Sequence, residues 1–186
     1  MWIAYRWLLR NIRRELYGCR VLELGSGSGR TAKICARILA VSEIVLVDSC
    51  VSALASSRAR LSNTGISAEF LEADVLEIAF ERGFDLVHSE GLLEHFAGAE
   101  REAVLRVHAE LCRPGGYVLI LVPLACRRYY VMRAALRAIR QWHWIETPMT
   151  EDELLDGLAD NGLELLSTYR SPIFHEIGVL AAKRHP

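Results

Sequence analysis

The stretch Val21-Leu22-Glu23-Leu24-Gly25-Ser26-Gly27-Ser28-Gly29 decides the fold. The residues up to Leu24 read as a short buried strand, and three alternating glycines end it where a helix is about to start. Glycine at such places lets the backbone take left-handed angles and lets a ligand approach where a Cβ would intrude. Roughly 20 residues later Asp48 ends the next apolar run, a position from which an acid can bind both hydroxyls of a ribose. Turn and acid together point to a nucleoside cofactor. A dinucleotide is the competing reading, but its Gly-x-Gly-x-x-Gly spacing needs glycine where Arg30 stands.

Outward from this turn, the runs 20–24, 43–47, 68–71, 84–88 and 117–122 are short and rich in Val, Leu and Ile, as buried strands are. Between them, 31–40, 51–61 and 99–112 have helical spacing, the last with Val104, Leu105, Val107, His108 and Leu111 on its inward face. Alternating strands and helices predict a parallel sheet covered on both faces. Arg113-Pro114-Gly115-Gly116 reads as the stop between the fourth helix and the fifth strand. Thr150-Glu151-Asp152-Glu153 reads as an N-cap with acids in the first turn, opening a helix that ends near Asn161-Gly162. Two closing strands follow at 163–169 and 176–182. The 186 residues suit one α/β domain over 1–186 with a substantial core.

Four further segments extend the pattern: Glu72-Ala73-Asp74-Val75, the run Phe84-Asp85-Leu86-Val87-His88-Ser89-Glu90-Gly91-Leu92-Leu93-Glu94-His95-Phe96, Arg113-Pro114-Gly115-Gly116-Tyr117-Val118, and 150–184. With the acid-x-Gly-x-Gly-x-Gly turn at Glu23, the chain resembles the class I S-adenosylmethionine-dependent methyltransferases, of the small-molecule, methyltransferase-type-11-like kind. The resemblance covers about 18–184 and leaves 126–146 unmatched. It implies a Rossmann-like, doubly wound, mostly parallel seven-stranded sheet with an antiparallel last strand. It also implies a cofactor, S-adenosylmethionine, and a set of contacts. Glu23 would assist binding of the cationic amino acid end at the turn of Gly25, Ser26 and Gly27. Asp48 and Ser49 would serve the ribose, Asp74 and Val75 the adenine, and Ser89, just past the fourth strand, the methionine end. Taken alone, Asp74 reads as a strand-end cap and Asp48 as a helix N-cap. Their order along the carboxyl edge of the sheet, where open α/β sheets bind ligands, favours the cofactor.

Composition narrows the remaining classes. Apolar residues at 52% and charged residues at 24% exclude a disordered or fibrous chain. The longest apolar stretch, 117–126, is interrupted by Pro123 and is far short of the roughly 20 residues that cross a bilayer. Arg6, Arg10, Arg13 and Arg14 spread through the first eighteen residues, and no small-residue cleavage site follows, so this segment does not read as a secretory signal. Five scattered cysteines with no Cys-x-x-Cys pair argue against a disulfide framework or any metal site, and a cytoplasmic location is expected.

Methyl transfer from a sulfonium needs alignment, exclusion of water and, for a hydroxyl acceptor, a base. His95, on the active edge, is the expected catalytic base, with His143, Tyr129 and Tyr130 as weaker candidates. His95 also reads as a packing or capping residue. No Asp/Asn-Pro-Pro-Tyr/Phe follows the fourth strand, which argues against base amino methylation, and Cys126 lacks the Pro-Cys partner of RNA cytosine-carbon enzymes. Positive charge is concentrated in two places. Residues 1–20 hold five arginines against Glu15, and 126–145 hold Arg127, Arg128, Arg133, Arg137 and Arg140 against no acid. If 1–17 and 126–146 form a lid over the cofactor mouth, as that architecture implies, an anionic small-molecule acceptor is favoured. Other readings stay open. The arginines at 133, 137 and 140 fit a solvated helix face. With Trp2, Trp7, Trp142 and Trp144 the same helices fit a membrane-surface anchor serving a lipophilic acceptor. A cofactor-binding protein without catalysis, or an RNA methyltransferase, also fits, although nucleic acid is not the favoured partner.

Overall fold

The computed structural model describes residues 2–81, 83–141, 146–171 and 175–185. Its elements run α1 (Trp2–Leu9), β1 (Cys19–Leu24), α2 (Arg30–Ile38), β2 (Val41–Asp48), α3 (Val51–Leu61), β3 (Ser67–Glu72), β4 (Phe84–Glu90), a 3-10 turn (Leu93–His95), α4 (Ala99–Leu111), β5 (Cys112–Pro123), α5 (Arg127–Ala138), α6 (Glu151–Asp160), β6 (Leu163–Arg170) and β7 (Glu176–Lys183). The strands form one sheet in the order β3-β2-β1-β4-β5-β7-β6. β1 pairs in parallel with both β2 and β4, and β7 runs antiparallel between β5 and β6. This is the doubly wound sheet with an antiparallel last strand that the sequence implied.

Strand periodicity sends alternate residues to opposite faces. Leu22, Leu24, Val45, Val47, Val87, Val118 and Ile120 join Val104 and Leu105 of α4 and Leu154 and Leu158 of α6 in one core layer. Val21, Ile44, Leu46, Leu86, Leu119, Leu121 and Leu180 form the other, with α1 and α2. Ala4, Tyr5, Leu8 and Leu9 of α1 are wholly buried there, so the amino-terminal helix is fastened to the sheet by its inner face.

One local expectation is corrected. The Arg113-Pro114-Gly115-Gly116 segment lies within β5, where the register shifts from Phe84 opposite Cys112 to Leu86 opposite Tyr117. Gly116 is required by this bulge: a Cβ there would sit 2.9 Å from Cys112 Sγ and 3.0 Å from the carbonyl oxygens of Arg113 and Phe84. Elsewhere the boundaries move by a residue or two, and α3 and the α6 N-cap stand where the sequence put them. Thr150 Oγ1 accepts from Glu153 N–H at 3.1 Å, and the Glu153 carboxylate accepts from Thr150 N–H at 3.4 Å.

Arg101 of α4 joins three segments. It is 4% exposed, and its Nε donates to the carbonyls of Leu93 (3.1 Å) and Phe96 (2.9 Å). Its Nη1 donates to Glu153 Oε1 (2.7 Å) and its Nη2 to the Thr147 carbonyl (2.6 Å). The turn after β4, the segment before α6 and α6 itself thus converge on one planar guanidinium. Lysine, a point charge, cannot reproduce that fork. Replacing Arg101 by methionine should cost about 3–5 kcal/mol in urea unfolding, because the surrounding acceptors lose their donor. Glu153→Gln, at the half-exposed partner, should cost no more than about 1 kcal/mol.

Candidate functional site

The glycine turn stands at the carboxyl end of β1, between its two parallel neighbours. Gly25 and Gly27 have φ of 64° and 51°. A Cβ on Gly25 would meet Leu92 Cδ1 at 2.7 Å, whereas one on Gly27 would meet nothing within 4 Å. The first glycine is needed for packing and the second leaves open room. The turn is tied to β2: Ser26 N–H donates to the Val47 carbonyl at 3.0 Å, and Gly27 N–H donates to Asp48 Oδ2 at 2.7 Å. Asp48 Oδ1 accepts from Cys50 N–H at 2.8 Å. Each carboxylate oxygen keeps a further lone pair for a ligand.

A cavity of about 380 Å³ opens over this edge, within the roughly 300–1,000 Å³ usual for small-molecule sites. Gly25, Gly27, Asp48 and Ser49 line it from the first two strands, Ala73, Asp74 and Val75 from the loop after β3, and Gly91, Leu92, His95 and Phe96 from the turn after β4. Asp74 also accepts from Leu76 N–H at 2.9 Å, the capping role its position suggested. His95 is exposed at the rim.

Three expected residues are not among those that line this cavity. Glu23 is 1% exposed and shares the α1 and α2 face with Val21; its Oε1 accepts from the Thr31 hydroxyl and its Oε2 has no partner. Burial pushes its carboxyl up to about 8. Ser26 is 4% exposed, and its Oγ is buried without a partner. Ser89 points to the α4 face, where its hydroxyl meets His108 Nε2 at 2.9 Å. The other nitrogen, Nδ1, sits 2.8 Å from the Val104 carbonyl, so it carries the proton and Nε2 accepts from Ser89. The cradle nonetheless suits a nucleoside with a charged tail. Gly27 leaves space that a Cβ would fill, and the turn is backed by orphaned polar atoms of Glu23 and Ser26.

Residues that the sequence did not single out form a second, smaller compartment. Glu90, Glu94 and Glu176 line a recess of about 80 Å³ with Gly91, Leu121, Val122 and Pro123, and Gly91 borders both cavities. Glu94 is 4% exposed, and its Oε2 has no partner. Burial pushes Glu94 up to about 8, the Glu146 carboxylate adding to the rise and Arg101 opposing it. Burial and Glu176 push Glu90 up to about 7, with Arg30 opposing. Burial raises Glu176 as well. Among the described residues no group has the geometry of a metal site. Glu90 and Glu94 were visible in the quoted fourth-strand motif, but Glu176 arrives only because β7 pairs with β5, setting it opposite Pro123. Of the other base candidates, Tyr129 is buried and donates to Glu146 Oε2 at 3.0 Å, and burial with that carboxylate pushes its hydroxyl up to about 12. His143 lies outside the described residues, as do Trp142 and Trp144.

Residues 21–116, just over half of the chain, match the family model described as a methyltransferase domain. Among curated proteins the chain is 30% identical over 169 residues to the ubiquinone biosynthesis O-methyltransferase of Rhizobium etli (strain CFN 42), covering 87% of this chain and 65% of that protein. It is 29% identical over 110 residues to the protein of the same name in Xanthomonas euvesicatoria, covering 58% and 44%. The chain thus spans about two thirds or less of these relatives. Among solved structures, magnesium protoporphyrin IX methyltransferase from Synechocystis PCC 6803 with bound SAH aligns at TM-score 0.76 and 16% identity, covering 96% of this chain and 79% of that one. The N-methyltransferase NodS from Bradyrhizobium japonicum WM9 aligns at 0.70 and 14%, covering 95% and 93%. Such identities speak for the fold alone. With the domain match and the sheet order in agreement, the chain belongs to the methyltransferase-domain family, the class I fold whose cofactor is S-adenosylmethionine.

Proposed function

We propose that this protein transfers a methyl group from S-adenosylmethionine to a small-molecule acceptor. The observation that carries this reading is the convergence of Gly25, Gly27, Asp48, Asp74 and Val75 on one cavity that borders, through Gly91, a recess lined by carboxylates. In the proposal Asp48, with Ser49 beside it, takes the ribose hydroxyls, and Asp74 with the Val75 N–H takes the adenine. Glu23 and Ser26 support the amino acid end from behind the turn. Ser89 is left to His108. When bound, the cofactor supplies an electrophilic methyl on a sulfonium. The chain positions the acceptor, keeps water out and receives a proton.

The curated relatives are named as O-methyltransferases, which favours an oxygen acceptor here. A hydroxyl acceptor would have to give up its proton to a base on this chain as it is methylated. His95 at the rim is one candidate, and Glu94 and Glu90, held near neutrality by burial, are the others. An anionic acceptor is supported by Arg127 and Arg128, both exposed at the start of α5, directly beyond β5. Arg133 is less free, because its Nη1 donates to the Glu146 carbonyl at 3.0 Å. In this scheme α5 is the acceptor lid, and α1, fastened to the sheet, is the wall beside it. A cytoplasmic location belongs to the same proposal.

Three measurements test it. Calorimetry should show saturable binding of S-adenosylhomocysteine and none of NAD, and Asp48→Ala should weaken that binding at least about tenfold by removing charge-assisted hydrogen bonds. Unchanged affinity would place the ribose elsewhere. With an acceptor in hand, His95→Ala should lower kcat while leaving cofactor affinity within about twofold if His95 is the base. Turnover that survives His95→Ala but falls with Glu94→Gln moves the role into the recess. Glu94 should also leave a mark on stability. With its folded value raised to about 8 from an ordinary 4.5, the native state holds the extra proton between those limits, so Glu94 costs stability as pH rises through them. Glu94→Gln should flatten that decline in urea titrations at pH 5 to 8.

A further inference from the structure

The outer face of α1 is unlike the rest of the surface. Opposite the buried Ala4, Tyr5, Leu8 and Leu9, the helix exposes Trp2 (40%), Ile3 (68%) and Trp7 (43%). Arg6 and Arg10 interleave with them on one shallow dish, Arg10 lying 3.7 Å from the Trp7 ring centre and Arg6 5.9 Å from that of Trp2. Beside it opens a cleft of about 640 Å³, lined by Arg6, Arg10, Arg13 and Arg14 with Arg37 of α2, and no acid lines it. No ion pair to any of these five arginines appears among the described residues. The nearest acid in sequence, Glu15, accepts instead from the Tyr117 hydroxyl.

Five guanidinium groups in one cleft repel each other, and a set of anions set close together would relieve that repulsion. Guanidinium forks suit phosphate oxygens. Two exposed indoles and an isoleucine among those arginines need something more than phosphate: an apolar layer directly beneath the charge, which a bilayer surface provides and a nucleic acid backbone does not. The patch is also preformed. Its helix is held on the sheet by wholly buried side chains, so docking need not first order the helix. No helix among the described residues is long and apolar enough to cross a membrane.

We propose that the outer face of α1, with Arg13, Arg14 and Arg37, docks the protein on a bilayer surface rich in anionic phospholipid. The arginines engage headgroup phosphates while Trp2, Ile3 and Trp7 enter the interfacial layer. This surface is distinct from the cofactor cavity, so it stands or falls separately from the methyl-transfer reading.

Co-sedimentation of the whole chain with vesicles tests the proposal. The protein should pellet with phosphatidylcholine vesicles containing phosphatidylglycerol and not with phosphatidylcholine alone, and added salt should weaken the binding. Replacing Arg6, Arg10, Arg13 and Arg14 by glutamine should reduce the apparent affinity at least about tenfold. Trp2→Ser with Trp7→Ser should reduce it at least about fivefold. Both variants should keep S-adenosylhomocysteine affinity within about twofold and native helical content, showing that they remain folded. Equal pelleting of substituted and unsubstituted protein overturns the proposal. So does binding to a single-stranded RNA oligonucleotide, lost in the arginine variant, without binding to anionic vesicles.

Discussion

The molecule depends on the placing of β1 between β2 and β4 with all three running the same way. Parallel pairing delivers the carboxyl ends of the three strands to one edge, and the chain's change of direction across the sheet opens a crevice there. The bond from Gly27 N–H to Asp48 Oδ2 closes that crevice on one side. It holds the glycine turn against the second strand, so the backbone that would cradle a ligand and the acid that would grip it are set by the same contact. Leu92, packed where a Gly25 Cβ would stand, closes the other side.

Strand parity then sorts the polar residues. Along β4, His88 faces α1 and meets the Tyr5 hydroxyl at 3.1 Å, while Ser89 faces α4 and meets His108. Burial holds both histidines low, at about 3 for His88 and about 4 for His108, so both are neutral struts near neutral pH. The buried carboxylates behave oppositely: burial raises Glu23 and Glu90, at the ends of β1 and β4, and Glu94, in the turn after β4, towards neutrality. Acid residues whose protons leave only near neutral pH or above and histidines that take none up there share the same interior. The difference follows from which form of each group carries charge.

Charge is also divided in space. Three carboxylates gather inside, at the recess, and the arginines of the first segment with Arg37 of α2, which have no ion pair among the described residues, line an outer cleft. A net charge of -1 conceals this arrangement. The inner group bears on chemistry at the methyl end and the outer group on where the protein sits. Arg101 stands apart from both, because its guanidinium is spent entirely on fastening the turn after β4 to α6.

The sequence by itself determined the strand and helix order, the glycine turn, the placing of Asp48 and Asp74 at the carboxyl edge of the sheet, and the N-cap at Thr150. Each of these is set by local chemistry: periodicity, a left-handed turn, an acid at or just past a strand end, a hydroxyl that caps the first turn of a helix. It did not show that Arg113-Pro114-Gly115-Gly116 would be absorbed into β5, because a bulge exists only against a partner strand, here β4. Nor did it show that Glu23 and Ser89 would lie off the cavity, since the parity of a strand has no direction until each face is covered. Glu176 joining Glu90 and Glu94, and Arg37 joining the arginines of the first segment, were likewise decided by tertiary structure alone. Such groups come from segments far apart in the chain, and they become neighbours only when the fold brings those segments together.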